Sequence, residues 1–192
     1  MNISLTRPLI LASNSPRRRQ LLSDIGCTFT VDVRPTDEHF PSNMMPTDVP
    51  GYLAQEKARQ FVHDSSNALI LCADTIVVIN SQILNKPANE AEALDMLRSL
   101  SGQVHQVITA VCLLSDGVYT TRTDSASVYF RTLSEAEMLA YIRTQRPFDK
   151  AGGYGIQEWI GMVGIERIEG SYYTIMGLPT HLVYELLMPY FA

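Results

Sequence analysis

The chain has 192 residues, of which 46% are hydrophobic and 18% are charged, and its formal net charge is −5 at pH 7. These values are typical of a globular protein, and we expect one domain spanning residues 1–192. The acidic balance argues against a protein that coats a nucleic acid polymer, because such a role requires a basic surface. No apolar run reaches the length of a membrane span, and the N-terminus lacks the apolar region of a signal peptide.

The cysteines indicate a reducing compartment. Cys27, Cys72 and Cys112 are odd in number, far apart and surrounded by apolar residues. This pattern favours reduced thiols in the core over a disulfide framework. None of the three has the electropositive neighbours in the sequence that would activate a catalytic thiolate. We therefore expect a cytoplasmic protein that does not associate with a membrane.

The first predicted helix begins with a cluster of basic residues. An apolar run over 9–12 predicts a buried strand. A helix is predicted over 16–25, since Ser15 is a suitable N-cap and Pro16 suits the first helical position. Cations in the first helical turn are unfavourable against the helix dipole, unless an anion such as phosphate binds there. A solvated basic turn is the open alternative. The basic residues are Arg17, Arg18 and Arg19.

Two acidic residues are candidate metal ligands or bases. The apolar run over 68–73 is typical of a central strand, and Asp74 follows at its expected end, where α/β folds place ligand crevices. Glu38 lies in a long loop predicted over 34–50, which contains four prolines. If the two carboxylates meet, they offer the oxygen ligands that Mg²⁺ prefers. Asp74 as a turn residue and Glu38 as a solvated loop acid remain the alternatives.

Two lysines could bind a polyphosphate together with the arginines. Lys57 lies beside the apolar stripe of a helix predicted over 48–63, so its stem can pack while its ammonium reaches into a cleft. Lys86 precedes Pro87, which holds it in an extended conformation. The alternative for each lysine, taken alone, is an exposed surface residue that binds no ligand.

The remaining elements predict an α/β protein with a mixed sheet. Asp116-Gly117 between apolar runs indicates a hairpin of long strands, which argues against a purely parallel sheet. A glycine-rich run over 152–157 predicts a tightly turning loop. Further strands are predicted over 27–33, 76–79, 82–84, 103–114, 118–130 and 162–168, and further helices over 90–100, 134–143 and 179–187.

Short motifs distributed along the chain carry a family resemblance. They are Ser13-Asn14-Ser15-Pro16-Arg17-Arg18, Glu38, Glu56-Lys57-Ala58, Ala73-Asp74-Thr75, Lys86-Pro87, Ser101-Gly102, Lys150-Ala151-Gly152, Tyr154-Gly155-Ile156-Gln157 and Gly177-Leu178-Pro179. In this order and spacing they resemble the Maf family of nucleoside triphosphate pyrophosphatases, also described as septum-formation inhibitors. The resemblance covers nearly the whole chain, from about Leu9 to Leu187.

The resemblance implies an α/β fold with an elongated mixed sheet flanked by helices, two lobes with a central cleft, and a homodimer. It also implies a nucleoside triphosphate as the substrate. Ser15, Arg17 and Arg18 would form the phosphate-binding turn. Lys57 and Lys86 would neutralise the triphosphate.

The resemblance further implies a divalent metal cation, Mg²⁺ or Mn²⁺, held by Glu38 and Asp74, with Asp74 as the proton acceptor. Among the branches of the family, the chain is similar to the dTTP/UTP pyrophosphatases. The branch that acts on 7-methyl-GTP carries a bulky aromatic, a Gln and a Glu where this chain has Arg17, Thr75 and Gln157. These three positions would therefore govern base selectivity.

We predict hydrolysis of the bond between the α- and β-phosphates of dTTP and UTP, with attack by a water bound to the metal. An aspartyl-phosphate phosphatase with Asp74 as nucleophile is a weaker alternative, because such enzymes usually need a second Asp two residues on, where Ile76 stands. A nucleotide-sensing protein that regulates cell division without catalysis is a further alternative.

Overall fold

The computed structural model describes residues 2–192 and contains a mixed sheet of seven strands. The strands are β1 (Leu9–Leu11), β2 (Thr30–Val31), β3 (Leu69–Ile79), β4 (Gln82–Leu84), β5 (Val104–Ser115), β6 (Val118–Phe130) and β7 (Ile165–Glu169). Their spatial order is β2-β1-β3-β5-β6-β7, and β4 pairs with β3. β1 is parallel to β2 and β3, whereas β4 is antiparallel to β3 and β7 to β6. The predicted α/β fold with a mixed sheet is confirmed.

The described residues also form seven α-helices. These are α1 (Pro16–Asp24), α2 (Val49–Arg59), α3 (Glu90–Leu100), α4 (Glu135–Gln145), α5 (Trp159–Gly164), α6 (Tyr172–Met176) and α7 (Thr180–Leu187). The side-chain oxygens of Ser15, Asn89 and Ser134 accept backbone N–H groups at the starts of α1, α3 and α4. Each cap satisfies a donor that the helix itself leaves unpaired. Within residues 2–192, no helix is both long and apolar enough to cross a membrane.

Two predicted elements in the N-terminal half are shorter than expected. The strand predicted over 27–33 is reduced to β2, because the short β1 offers pairing partners only to Thr30 and Val31. The helix predicted over 48–63 ends at Arg59, and a series of turns follows. Those turns are rich in Asp, Ser and Asn, whose side chains compete with helical backbone hydrogen bonds.

The segment predicted as a strand over 162–168 is a strand only from Ile165 onward. Its first part belongs to α5, where the backbone N–H groups of Gly161 and Met162 bond the Glu158 carbonyl oxygen. These local bonds close a short helix, although the apolar residues there suggested an extended chain. The helix α6 was not predicted.

The chain divides into two compact units. The first contains the residues up to Asp74 together with Thr109–Asp124 and Gly177–Ala192, and the second contains Thr75–Ile108 and Ser125–Met176. In the first unit, α2 and β3 pack around a core of small and aliphatic side chains. In the second, α3 and α4 contribute most of their apolar side chains to a larger core. The three cysteines are free and buried, as predicted.

β3 is buried along almost its whole length. The residues from Leu69 to Ala73 are inaccessible to solvent, which confirms the predicted central strand. The prediction that this strand ends at Asp74 was wrong, because β3 continues to Ile79. The residues over 75–78 are all β-branched and favour the extended conformation, so one carboxylate does not interrupt the strand. Asp74 therefore lies inside a buried strand.

A buried histidine supports the glycine-rich segment of the second unit. His105 on β5 is 2% exposed, and its Nε2 lies 2.7 Å from the hydroxyl oxygen of Tyr154. Its ring stacks on Phe130 with 5.5 Å between centroids. Burial lowers the pKa of His105 from 6.5 to about 4. The folded protein therefore holds this imidazole in its neutral form.

We expect acid to destabilise the protein through His105. Between pH 6.5 and about 4, the unfolded chain binds a proton at this imidazole and the folded chain does not. The free energy of unfolding therefore falls as the pH falls through this interval, by up to about 3 kcal/mol. Urea unfolding measured across the interval should show this loss for the wild type and a flatter dependence for His105→Gln. The control is His63→Gln, since His63 is exposed; equal slopes for the wild type and His105→Gln would refute the assignment.

Candidate active site

The start of α1 has the geometry of an anion-binding turn. Ser15 is extended, and its Oγ accepts the backbone N–H of Arg18 at 3.4 Å. Pro16 occupies the first helical position, and the first turn contains no acidic residue. Arg17 is half-buried there, whereas Arg19 is exposed. Backbone N–H groups, the helix dipole and guanidinium groups thus all favour a phosphate at this end of α1.

Arg18 connects α1 to β3 and to the segment before α7. Its Nη1 donates to the carbonyl oxygen of Ala73 at 2.8 Å, and its Nε donates to the carbonyl oxygen of Gly177 at 2.8 Å. Burial lowers the pKa of Arg18, and the negative charge of Asp74 acts in the opposite direction. Ala73 immediately precedes Asp74. Arg18 therefore fixes the start of α1 beside this carboxylate and brings a positive charge to it.

Lys57 brings together the two acidic residues predicted from the sequence. Its Nζ lies 2.6 Å from Oδ1 of Asp74 and 3.0 Å from Oε1 of Glu38. The side chains of Lys57 and Asp74 are 17% and 12% exposed, whereas that of Glu38 is 52% exposed. Lys57 reaches this position from the third turn of α2. The first unit therefore contains a cluster of two carboxylates and an ammonium, with Glu38 on its exposed side.

Glu38 and Asp74 supply the oxygen donors that a small divalent cation prefers. Mg²⁺ usually binds one or two carboxylates and completes its ligands with water and substrate phosphates. Both carboxylates lie within hydrogen-bond distance of the same nitrogen, so their oxygens converge on one place. Over residues 2–192, no group of three or more His, Cys, Asp or Glu side chains could form a complete metal site. The donor set thus fits Mg²⁺ or Mn²⁺ bound together with a polyphosphate.

The other predicted site residues, Thr75, Lys86 and Gln157, belong to the second unit. Thr75 is the one half-buried residue of β3, and Lys86 is exposed in the segment after β4. The carbonyl oxygen of Asn85 accepts the backbone N–H of Gly152 at 3.1 Å. The segment that carries Lys86 is therefore a neighbour of the glycine-rich run that leads to Gln157.

The glycine-rich run turns tightly, as predicted, and packs closely on β3. Gly152 has φ +71°, and a Cβ at this position would lie 3.0 Å from Cγ1 of Val77. Both the backbone conformation and the packing thus require glycine. The run continues through the buried Tyr154 to Gln157.

Gln157 lies on an open groove of the second unit with a volume of about 520 Å³. The side chain of Gln157 is exposed, and Met162, Ile168 and Tyr172 are among the apolar and aromatic residues of the groove. Apolar and aromatic walls with a few polar groups are typical of sites for small planar ligands. The amide can both donate and accept a hydrogen bond, so it could distinguish heterocycles by their edges.

The polar residues that surround the segment of Gln157 had no role assigned from the sequence, although Lys150 belongs to one of the family motifs. Lys150 is 7% exposed, and its Nζ lies 3.0 Å from Oε1 of Glu158. The hydroxyl of Tyr141 on α4 contacts the other carboxylate oxygen of Glu158. One feature of the sequence pointed to them: Lys150 stands beside the run of glycine and aromatic residues. The burial of Lys150 and its contact with Glu158 are visible only in the structure.

The chain matches a known protein family and named relatives. Residues 8–190 match the family described as Maf-like protein. A protein of Christiangramia forsetii is 44% identical over 180 residues, which cover 93% of this chain and 92% of that protein. A protein of Cytophaga hutchinsonii is 45% identical over 93% of this chain and 82% of its own length. A protein of Phocaeicola vulgatus is 46% identical over 93% of this chain and 94% of its own length.

Each of these three relatives carries the name dTTP/UTP pyrophosphatase. The matched region includes the arginine turn, the Lys57 cluster and the glycine-rich run, and thus residues from both units. A match over nearly the whole length, together with relatives at this identity, establishes the family. This chain therefore belongs to the Maf family.

Proposed function

We propose that this protein hydrolyses dTTP and UTP between the α- and β-phosphates and releases the nucleoside monophosphate and pyrophosphate. The observation that carries the proposal is the cluster in which Lys57 contacts Glu38 and Asp74 while Arg18 lies beside Asp74. It combines carboxylates, which can activate water, with cations, which can bind a triphosphate. The relatives named dTTP/UTP pyrophosphatase support the same substrates.

The cationic residues bind the phosphates in this mechanism. The N-terminus of α1, capped by Ser15, presents backbone N–H groups, and Arg17 and Arg18 add guanidinium groups. Lys57 and Lys86 contribute point charges that offset the negative charge of the triphosphate. Stabilisation that increases as charge develops on the leaving pyrophosphate accelerates the reaction.

Asp74 and Glu38 act on the attacking water. A bound Mg²⁺ or Mn²⁺ would neutralise phosphate charge and lower the pKa of a coordinated water. Asp74 accepts the proton of the attacking water as the general base. Lys57 contacts the carboxylate of Asp74 directly, and Arg18 holds the preceding residue through the carbonyl oxygen of Ala73. Glu38, on the exposed side of the cluster, would hold the cation together with Asp74.

Thr75, Arg17 and Gln157 determine base selectivity in this proposal. Uracil and thymine present an acceptor at O4 and a donor at N3–H, whereas cytosine presents the reverse pattern. The amide of Gln157 can donate to O4 and accept from N3–H. A site that hydrogen-bonds a polar group discriminates strongly against a ligand that leaves its partner unpaired.

The proposal includes a homodimer, which the family resemblance implies, and a location in the cytoplasm, which the free cysteines favour. Light scattering coupled to size-exclusion chromatography would measure the mass of the assembly directly.

Asp74→Asn should abolish most of the activity, because an amide cannot accept the proton of the attacking water. We expect kcat for UTP and dTTP to fall by about 10²- to 10⁴-fold. Pyrophosphate release should be measured for the wild type and the variant, with Mg²⁺, with Mn²⁺ and with neither. The wild type should need the cation.

The control for this experiment is Asp37→Asn, which neutralises an exposed carboxylate next to Glu38 that contacts His39. It should retain wild-type turnover. If the wild type binds UTP but releases no pyrophosphate with either cation, the protein is a nucleotide sensor and the proposed hydrolysis is wrong. If Asp74→Asn turns over normally, Asp74 is not the base.

Gln157→Glu should reduce the preference for UTP over CTP. The carboxylate cannot donate to O4 of uracil, but it can accept from the amino group of cytosine. We expect the ratio of kcat/KM for UTP to that for CTP to fall by about tenfold or more. The control, Gln103→Glu, adds the same charge at an exposed position of the second unit and should leave the ratio unchanged. An unchanged ratio in Gln157→Glu means that Gln157 does not read the base.

A further inference from the structure

The backbone around Gln157 forms a closed turn. The N–H of Glu158 donates to the carbonyl oxygen of Gly155 at 3.0 Å, so Ile156 and Gln157 are the two central residues of this turn. Ile156 is buried, whereas the side chain of Gln157 is exposed on the groove. The direction of the Gln157 amide therefore depends on how firmly Gly155 and Glu158 are held.

Both ends of this turn are bonded to one tyrosine. The hydroxyl oxygen of Tyr141 accepts the backbone N–H of Gly155 at 3.0 Å, and the same hydroxyl donates to Oε2 of Glu158. Tyr141 is 1% exposed on α4. Burial and the negative charge of Glu158 raise the pKa of Tyr141, so the phenol keeps the proton that it donates. One rigid side chain thus connects the residue two before Gln157 to the residue directly after it.

The carboxylate of Glu158 is held from a second side. Its Oε1 lies 3.0 Å from Nζ of Lys150, and the two side chains are 16% and 9% exposed. Asp149 contacts the same Nζ at 2.7 Å. A Cβ on Gly155 would lie 2.8 Å from the carboxyl carbon of Glu158, so the carboxylate packs directly over the turn.

Stability does not explain this arrangement. A buried ion pair loses most of its attraction to desolvation, and apolar residues of similar size are often equally or more stabilising. Its advantage is directional, because charge-assisted hydrogen bonds to fixed partners define the position of each atom. A turn that carries a recognition residue needs this property.

We infer that Tyr141, Lys150 and Glu158 form a clamp that positions Gln157 for recognition of the pyrimidine base. The inference rests on the proposed function, since it assumes that Gln157 reads the base. The three residues are positioning residues and do not touch the substrate. Removing a contact of the clamp allows the amide of Gln157 to turn away from the orientation that binds the base. The phosphate-binding and water-activating residues of the first unit are unaffected.

The test compares UTP and CTP kinetics in Tyr141→Phe and Glu158→Gln. We expect the ratio of kcat/KM for UTP to that for CTP to fall about fivefold in each, roughly the contribution of one hydrogen bond. KM for UTP should rise, while kcat changes little, because a base contact contributes to binding in the ground state as well as in the transition state. A purely structural defect would lower activity towards both nucleotides equally.

The matched control is Tyr129→Phe. Tyr129 also donates its hydroxyl to a glutamate, Glu169, at 2.9 Å, but it lies on β6 and outside the turn. Its ratio should equal that of the wild type. Thermal unfolding establishes that each variant is folded, and Glu158→Gln provides the test if Tyr141→Phe does not fold.

Combining variants separates the clamp from the proposed function. If Gln157→Ala lowers the ratio and Tyr141→Phe has no further effect in that background, the clamp acts through Gln157. If Gln157→Ala lowers the ratio but both clamp variants keep the wild-type value, the clamp is refuted and base reading by Gln157 stands. An unchanged ratio in Gln157→Ala would overturn base reading and the clamp together.

Discussion

A carboxylate within a strand that is buried on both faces requires cationic partners. Removing an ion from water costs several kcal/mol even after relaxation, so a carboxylate buried in a strand needs compensating cations nearby. Lys57 and Arg18 provide it from two helices that begin in different parts of the chain. α2 can approach β3 closely because it packs small residues, Ala54 and Ala58, against the strand. The packing of these two helices thus brings to Asp74 the cations that a buried carboxylate needs.

The same cluster is poorly suited to stabilising the fold. An apolar side chain in place of Asp74 would continue the run of buried apolar residues in β3. The fold would then need no cation at this position. A ligand explains three charges at this depth better than a contribution to stability does. Glu38 supports this explanation, because half of its side chain is exposed while it contacts the same ammonium. The cluster is therefore buried on the side of β3 and accessible on the side of Glu38.

Local features of the sequence predicted local features of the structure. The cap of α1 was recognisable because a cap depends on residues three positions apart. The central strand was recognisable from its apolar run, but its end was not. Asp74 was predicted to end the strand because a carboxylate inside a buried strand requires a cationic partner. That partner, Lys57, is 17 residues away in the sequence. A local sequence pattern does not reveal the contact between Lys57 and Asp74.

In the candidate site, too, contacts between residues distant in the sequence were not predicted. The motifs of the family indicated Ser15, Arg17, Lys57 and Asp74, and the structure adds which atoms of the first unit meet. The bond between Tyr141 and Glu158 had no counterpart in the sequence analysis, since Tyr141 had the spacing of an ordinary core residue on α4. Burial of its hydroxyl beside Gly155 is a property of packing, and packing is what pattern analysis cannot supply.

The clusters around Lys57 and Glu158 differ in one respect that bears on their roles. Around Lys57, one carboxylate is half-exposed, so a cation or a phosphate can replace the contacts that the cluster makes by itself. Around Glu158, the exposed carboxylate is Asp149, whereas Glu158 itself is bonded to Tyr141 and Lys150, which are both almost fully buried. Exchangeable contacts suit binding and proton transfer, whereas closed contacts suit positioning. The contacts of Glu158 are thus suited to positioning, whereas those of Lys57 with Glu38 are open to exchange with a ligand.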